Sequence, residues 1–155
     1  MAPKASNDLL KFLIPFPAEV QETTLWLRGF VWDLLPDSNE LIYDNYDALV
    51  IGFGTSDKAS DGYCSVAVYA KYVNFGLLRG SEISDPDNLL SGEGSLYRKM
   101  AVKNKEDFPK PYMKKLLKEA YENSLLRLKG KQSLKGKVII KSISPIKKRP
   151  RTKDT

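Results

Sequence analysis

The sequence predicts an α+β domain: an antiparallel sheet of about five strands, covered on one face by an N-terminal and a C-terminal helix as a two-layer sandwich. Three observations carry this expectation. Two long segments, residues 17–35 and 112–128, repeat apolar residues at helical spacing. Between them, strand-like runs follow one another with no helical period in between, which favours antiparallel neighbours. The sharpest of these runs, residues 62–80, reads as a hairpin. In it Cys64, Val66 and Val68 alternate with Tyr63, Ser65, Ala67 and Tyr69, Lys71-Tyr72 makes the turn, and Val73, Phe75 and Leu77 set the face of the return strand.

In chain order, residues 1–6 are expected to be disordered. Asn7 or Asp8 caps a short helix through Leu9, Leu10, Phe12 and Leu13, stopped by Pro15. Pro17 takes the first position of the next helix, where its missing N–H would have no partner anyway. The stripe Val20, Thr24, Leu27, Val31 and Leu34 is widened by Trp26, Phe30 and Leu35, so this helix should lie across a sheet. Trp26 and Trp32 read as packing, not as a ligand platform. Leu41, Ile42 and Tyr43 form a short strand in an acidic link. Residues 48–55 form a stronger one, in which Gly52 and Gly54 lighten one face, the mark of a close backbone approach or a bulge.

Residues 56–62 make a polar hairpin loop. Residues 81–94 form a turn-rich wrap around the sheet edge with Leu89 and Leu90 tucked inward, and residues 95–103 form the last strand. The C-terminal helix turns Met113, Leu117, Ala120, Ser124 and Leu128 to one side and stops at Gly130. Beyond it the hydrophobic period fades. A weak strand signal at residues 138–146 is flanked by lysines and Pro145, so residues 129–155 are expected to be a basic flexible tail and residues 7–128 the domain.

Composition narrows the function. The chain has 155 residues, a single-domain length. No apolar run approaches the roughly 20 residues a membrane helix needs, and the N-terminus lacks a signal-peptide pattern, so the expected location is the cytoplasm. The absence of histidine removes Ser-His-Asp and Cys-His nucleophile arrangements and the commonest general base. Cys64 is the only cysteine, which rules out an intrachain disulfide or a CxxC site. Set inside a strand with no histidine near it, it reads as a small buried hydrophobe. With no nucleophile–base pair in view, the leading expectation is a small non-enzymatic binding protein. Charge is divided unevenly: residues 129–155 hold 10 Lys and Arg against one acid, while residues 1–128 hold 15 against 18 acids. The basic excess belongs to the tail.

The run Phe75-Gly76-Leu77-Leu78-Arg79-Gly80, followed by Asp85-Pro86, Leu89-Leu90, Gly92, Gly94 and the basic pair Arg98-Lys99, resembles the central segment of the YdhG-like family of uncharacterised domains. The resemblance spans about residues 18–128 of this chain. Departures are Tyr43-Asp44-Asn45-Tyr46, where the family has a Trp-Gly-x-Pro-like segment, and Ser95, where a lysine is common. The resemblance implies an antiparallel sheet backed by terminal helices. Because some relatives are described as frataxin-like iron chaperones, it also implies iron as a ligand to test.

Three groups of residues are candidate sites. The acidic stretch Asp33, Asp37, Glu40, Asp44 and Asp47 offers carboxylate oxygens that can hold iron without histidine or thiolate; the alternative is a set of solvated loop acids. Arg79 and Arg98, with Tyr43, Tyr69 and Phe75 as an apolar wall, offer a guanidinium fork to a carboxylate or phosphate ligand; the alternative is that Arg79 pairs with Glu82 or Asp85 and pins the loop. Lys147, Lys148, Arg149, Arg151 and Lys153 would contact a polyanion or nucleic acid through charge alone, since residues 129–155 contain no aromatic side chain for base stacking. An iron carrier and a tail-mediated nucleic-acid accessory protein are the two alternatives to the leading reading.

Overall fold

A computed structural model describes residues 2–148. Its elements are helices α1 (Asn7–Leu13), α2 (Ala18–Leu34) and α3 (Lys110–Arg127), and strands β1 (Asn39–Asp44), β2 (Leu49–Gly54), β3 (Gly62–Val68), β4 (Val73–Leu77), β5 (Arg98–Val102) and β6 (Val138–Ile143). The six strands form one sheet in the order β5-β4-β3-β2-β1-β6. Strands β1 to β5 are an antiparallel meander, and β6 joins parallel to β1. The fold is therefore α+β, with a mixed, mostly antiparallel sheet. No helix among the described residues is long and apolar enough to cross a membrane.

The helix ends follow local chemistry, with small shifts from expectation. Ser6, not Asn7 or Asp8, caps α1: its hydroxyl accepts from the Leu9 N–H at 3.1 Å. Pro17 stands one residue before the first turn of α2 instead of within it. Helix α3 begins at Lys110 with Pro111 in its first turn and ends in a left-handed reversal, where Gly130 (φ 74°) donates to the Leu125 carbonyl at 2.8 Å.

One face of the sheet is the core. Strand alternation turns Ile42, Ile51, Phe53, Val66 and Phe75 onto it, all fully buried, where they meet Leu27 and Trp32 of α2 and Met113 and Leu117 of α3. Phe108 closes one end, its ring edge-on to those of Trp26, Phe30 and Phe75. The Ser38 and Tyr63 hydroxyls hydrogen-bond at the other end.

Two expectations about the termini change. The sheet has six strands, not about five, because the segment expected as tail supplies β6. Its period is too weak to announce a strand, but β1 offers it an edge: the Glu40 N–H donates to the Lys137 carbonyl and the Ser144 N–H to that of Asp44, each at 2.7 Å. Asn39 fastens the approach, donating through Nδ2 to the Leu134 carbonyl at 2.8 Å and accepting from the Lys137 N–H at 3.1 Å. Ile140, paired with Ile42, packs against the core. At the other terminus, residues 2–5 lie against the domain. Ala2 and Ala5 pack on the core, and the Pro3 carbonyl accepts from Arg28 Nη1 at 2.7 Å.

Candidate functional site

Side chains that do not enter the core project from the opposite face of the same strands. Along the middle of the central strands they are small. Register aligns Gly52 of β2 with Ser65 of β3, and Ser65 with Gly76 of β4, in a single row across the sheet, while Ala67 sits in the next row between Val50 and Asn74. The result is a trough. Tyr43 walls one side: a Cβ added at Gly52 would lie 3.7 Å from its Cε2. Tyr97 covers the other end: a Cβ at Gly76 would lie 2.3 Å from its hydroxyl oxygen, so only glycine admits the ring there. Tyr69, Leu41 and Leu78 complete a cavity of about 430 Å³, within the roughly 300–1,000 Å³ common for ligand pockets.

The electrostatics of this groove are simple. No charged side chain lines it. The Tyr43 hydroxyl is buried and has no hydrogen-bond partner among the described residues, and burial raises its pKa above the ordinary tyrosine value. Burial also raises the Tyr97 phenol, against the lowering effect of its hydrogen bond with Ser65. Both phenols are neutral donors at ordinary pH. The groove can therefore take an apolar body and offer a hydrogen bond, and it disfavours a charge.

Of the five residues expected to form a ligand site, Tyr43 and Tyr69 line this groove. Phe75 does not. It lies on the core face, fully buried, with its ring 5.2 Å from that of Phe108. The arginines hold the loop between β4 and β5. Arg79 Nη1 pairs with Glu82 at 3.2 Å, and Arg98 Nη1 donates to the Gly94 and Tyr97 carbonyls, each at 2.7 Å. The expected arginine fork beside an aromatic wall is not formed. Asp85 organises the same loop, accepting from the Leu89 and Leu90 N–H groups at 3.0 and 2.9 Å and from the Tyr112 hydroxyl. Partial burial would raise its pKa, but these hydrogen bonds together hold the carboxyl below its usual value.

The acidic stretch is dispersed. Glu40 is buried on the core side, where its Oε1 accepts from Arg28 Nε at 2.8 Å and from Trp32 Nε1 at 2.7 Å. Burial pushes this carboxyl up, with Arg28 and Trp32 pulling it back in part. Asp44 is buried as well and pairs with Lys147 at 2.6 Å. Asp37 faces Lys135 at 3.8 Å, Asp33 accepts from the Ala2 N–H at 3.1 Å, and Asp47 is exposed. The expectation of one exposed carboxylate patch is thus corrected. Glu40, Ile42 and Asp44 alternate along a strand, so all three turn to the helix side, which a reading of the segment as an acidic link does not reveal. Among the described residues no group of three or more His, Cys, Asp or Glu side chains is placed to hold a metal ion.

Cys64 is fully buried, and burial pushes its thiol well up, away from thiolate chemistry. Of the basic cluster, Lys147 is engaged with Asp44 and sits 5.5 Å over the Phe12 ring, and the Lys148 N–H donates to the Tyr46 carbonyl at 2.9 Å. Arg149, Arg151 and Lys153 lie outside the described residues.

Sequence reasoning missed Tyr97, Ser65 and Ala67 as groove residues, and Gly76 as the seat of the Tyr97 ring. A signal was present: the large members of the central hairpin alternate with Ser65, Ala67 and Gly76, so one face of it is stripped of bulk. Compared with protein-family models, curated proteins and solved structures, the chain matches none.

Proposed function

We propose that this is a non-enzymatic binding protein that holds an uncharged, ring-bearing small molecule in the trough on the open face of the sheet. The observation that carries this reading is the Tyr43 hydroxyl, a donor shielded from water with no partner among the described residues, on the wall of a groove lined by no charge. A buried polar group without a partner costs roughly 1–3 kcal/mol, and a ligand carbonyl or hydroxyl would recover that. The small residues Gly52, Ser65 and Ala67 supply the depth a ring needs. In this reading the chain belongs to the YdhG-like family, and the groove is the binding site of its fold. The scattering of the five acids leaves the iron-carrier alternative with no site among the described residues.

The test is a thermal-shift panel of neutral ring compounds and small organic anions on the full chain, repeated on Gly52→Leu. A leucine at this position meets only ordinary contacts at its Cβ and places its side chain in the trough. At 100 times its dissociation constant a ligand should add about 2.7 kcal/mol of stability. A hit lost in Gly52→Leu and weakened in Tyr43→Phe supports the reading. A hit that survives Gly52→Leu, or a panel that returns only anions, overturns it.

A further inference from the structure

The two edges of the sheet are not alike. At one, β5 is bridged by Ser91, which exchanges backbone hydrogen bonds with Lys99. At the other, β6 has a neighbour on one side only among the described residues. The pairing of Glu40 with Val138 and of Leu41 with Ile139, together with the Glu40 N–H bond to the Lys137 carbonyl, turns the Val138 and Ile140 N–H groups away from β1. They form the open half of a hydrogen-bonding ladder. Beside them Val138, Ile143 and Ile146 are exposed at 36, 57 and 70 %.

Charge says what fits. Residues 129–148 contain seven lysines and no acid. Lys135, Lys141 and Lys147 reach back to Asp37, the Asp57 carbonyl and Asp44, while Lys137 stands exposed just before the strand and Lys148 stands exposed in the segment that follows it. A lysine-bearing edge is also how proteins discourage sheet growth by their own kind. A second copy of β6 laid across this edge would bring together two segments that each carry seven lysines and no acid, so like charge would oppose the pairing. An extended chain carrying acids instead would neutralise the lysines while its backbone completes the ladder and its apolar side chains cover Val138 and Ile143.

We propose that the free edge of β6 is a docking site for an extended acidic segment of another protein, added to the sheet as a further strand. This inference is independent of the groove, which lies on the sheet face and not at its edge.

Fluorescence anisotropy on the full chain tests it with three labelled probes: a peptide alternating Glu and Val, its Lys/Val counterpart, and a single-stranded oligonucleotide of the same charge as the first. The Glu/Val peptide should bind at least about tenfold more tightly than either of the others. Val138→Pro, which removes an outward N–H and none that faces β1, should weaken it about tenfold. If Val138→Pro alters the circular-dichroism spectrum or melting temperature, the paired exposed change Lys137→Glu with Lys148→Glu serves instead, with a similar loss expected. Equal binding of the oligonucleotide would reduce the edge to a polyanion patch and overturn the proposal. Unchanged affinity in a folded variant, or concentration-dependent dimerisation abolished by Val138→Pro, would do the same.

Discussion

The two faces of this sheet are made by the same strands and do opposite things. On the covered face, Ile51, Phe53, Val66 and Phe75 are fully buried beneath the helices, and even the carboxylates there are held, Glu40 by Arg28 and Trp32 and Asp44 by Lys147. On the other face, the residues between them are Gly52, Ser65, Ala67 and Gly76, and one shielded hydroxyl, that of Tyr43, has no partner among the described residues. The charged groups of the core pair with one another, whereas the Tyr43 hydroxyl of the groove is open to a partner. Bulk on alternate residues yields cohesion on one side, and its absence on the other yields a site.

The largest effects should come from the covered face. Phe75→Ala removes a ring at the centre of the Phe108 cluster and is expected to cost about 3–5 kcal/mol in urea unfolding. An unaltered midpoint would mean that this residue does not sit in the core. Glu40→Ala should cost a similar amount, about 3–5 kcal/mol, because it strands the buried Arg28 guanidinium. An exposed acid at that position would make the same change nearly silent, so the measurement separates the two placements directly.

Changes on the open face should move binding more than stability. Gly52→Leu should leave unfolding free energy within about 1 kcal/mol of the parent while removing the groove ligand. A loss of stability as large as that of Phe75→Ala would erase the distinction between the faces. The smallest effect lies in the loop beyond β4. The Asp85 carboxyl is held below its ordinary 3.8 by Tyr112, Leu90 and Leu89 against the upward push of burial, so the folded state binds its proton less readily than the unfolded chain. Its stabilising contribution is therefore present above about pH 3.8 and is lost as pH falls through the lower folded value. Between about pH 5 and pH 2 the unfolding midpoint of Asp85→Asn should fall less steeply than that of the parent. Parallel slopes would show that the loop hydrogen bonds do not select the ionised carboxylate.

How legible these features were depended on the range of the interaction behind them. The central hairpin was readable because Cys64, Val66 and Val68 and their partners Val73, Phe75 and Leu77 announce a two-faced strand pair within fifteen positions. The loop role of Arg79 was readable as the alternative to a ligand fork, since its partner Glu82 is three residues away. Phe75 was assigned to the wrong face as a site residue, although the same alternation places it opposite Val66 and hence in the core. Glu40 was misplaced for another reason: it stands among acids in a segment that resembles a link, and its partner Arg28 lies on a different element.

What the sequence determined by itself is what neighbouring residues settle among themselves: two long helical stripes, a run of strands between them, the hairpin at their centre, and the absence of histidine. What only the tertiary structure decided is register and edge. Nothing local says that Gly52, Ser65 and Gly76 will share one row, or that Tyr97 will fold back over the last of them, because each belongs to a different segment. Nor does the short run Val138–Ile143 carry a strong strand signal of its own. It becomes one because β1 presents an unpaired edge about a hundred residues upstream, and backbone hydrogen bonds close wherever a partner is offered.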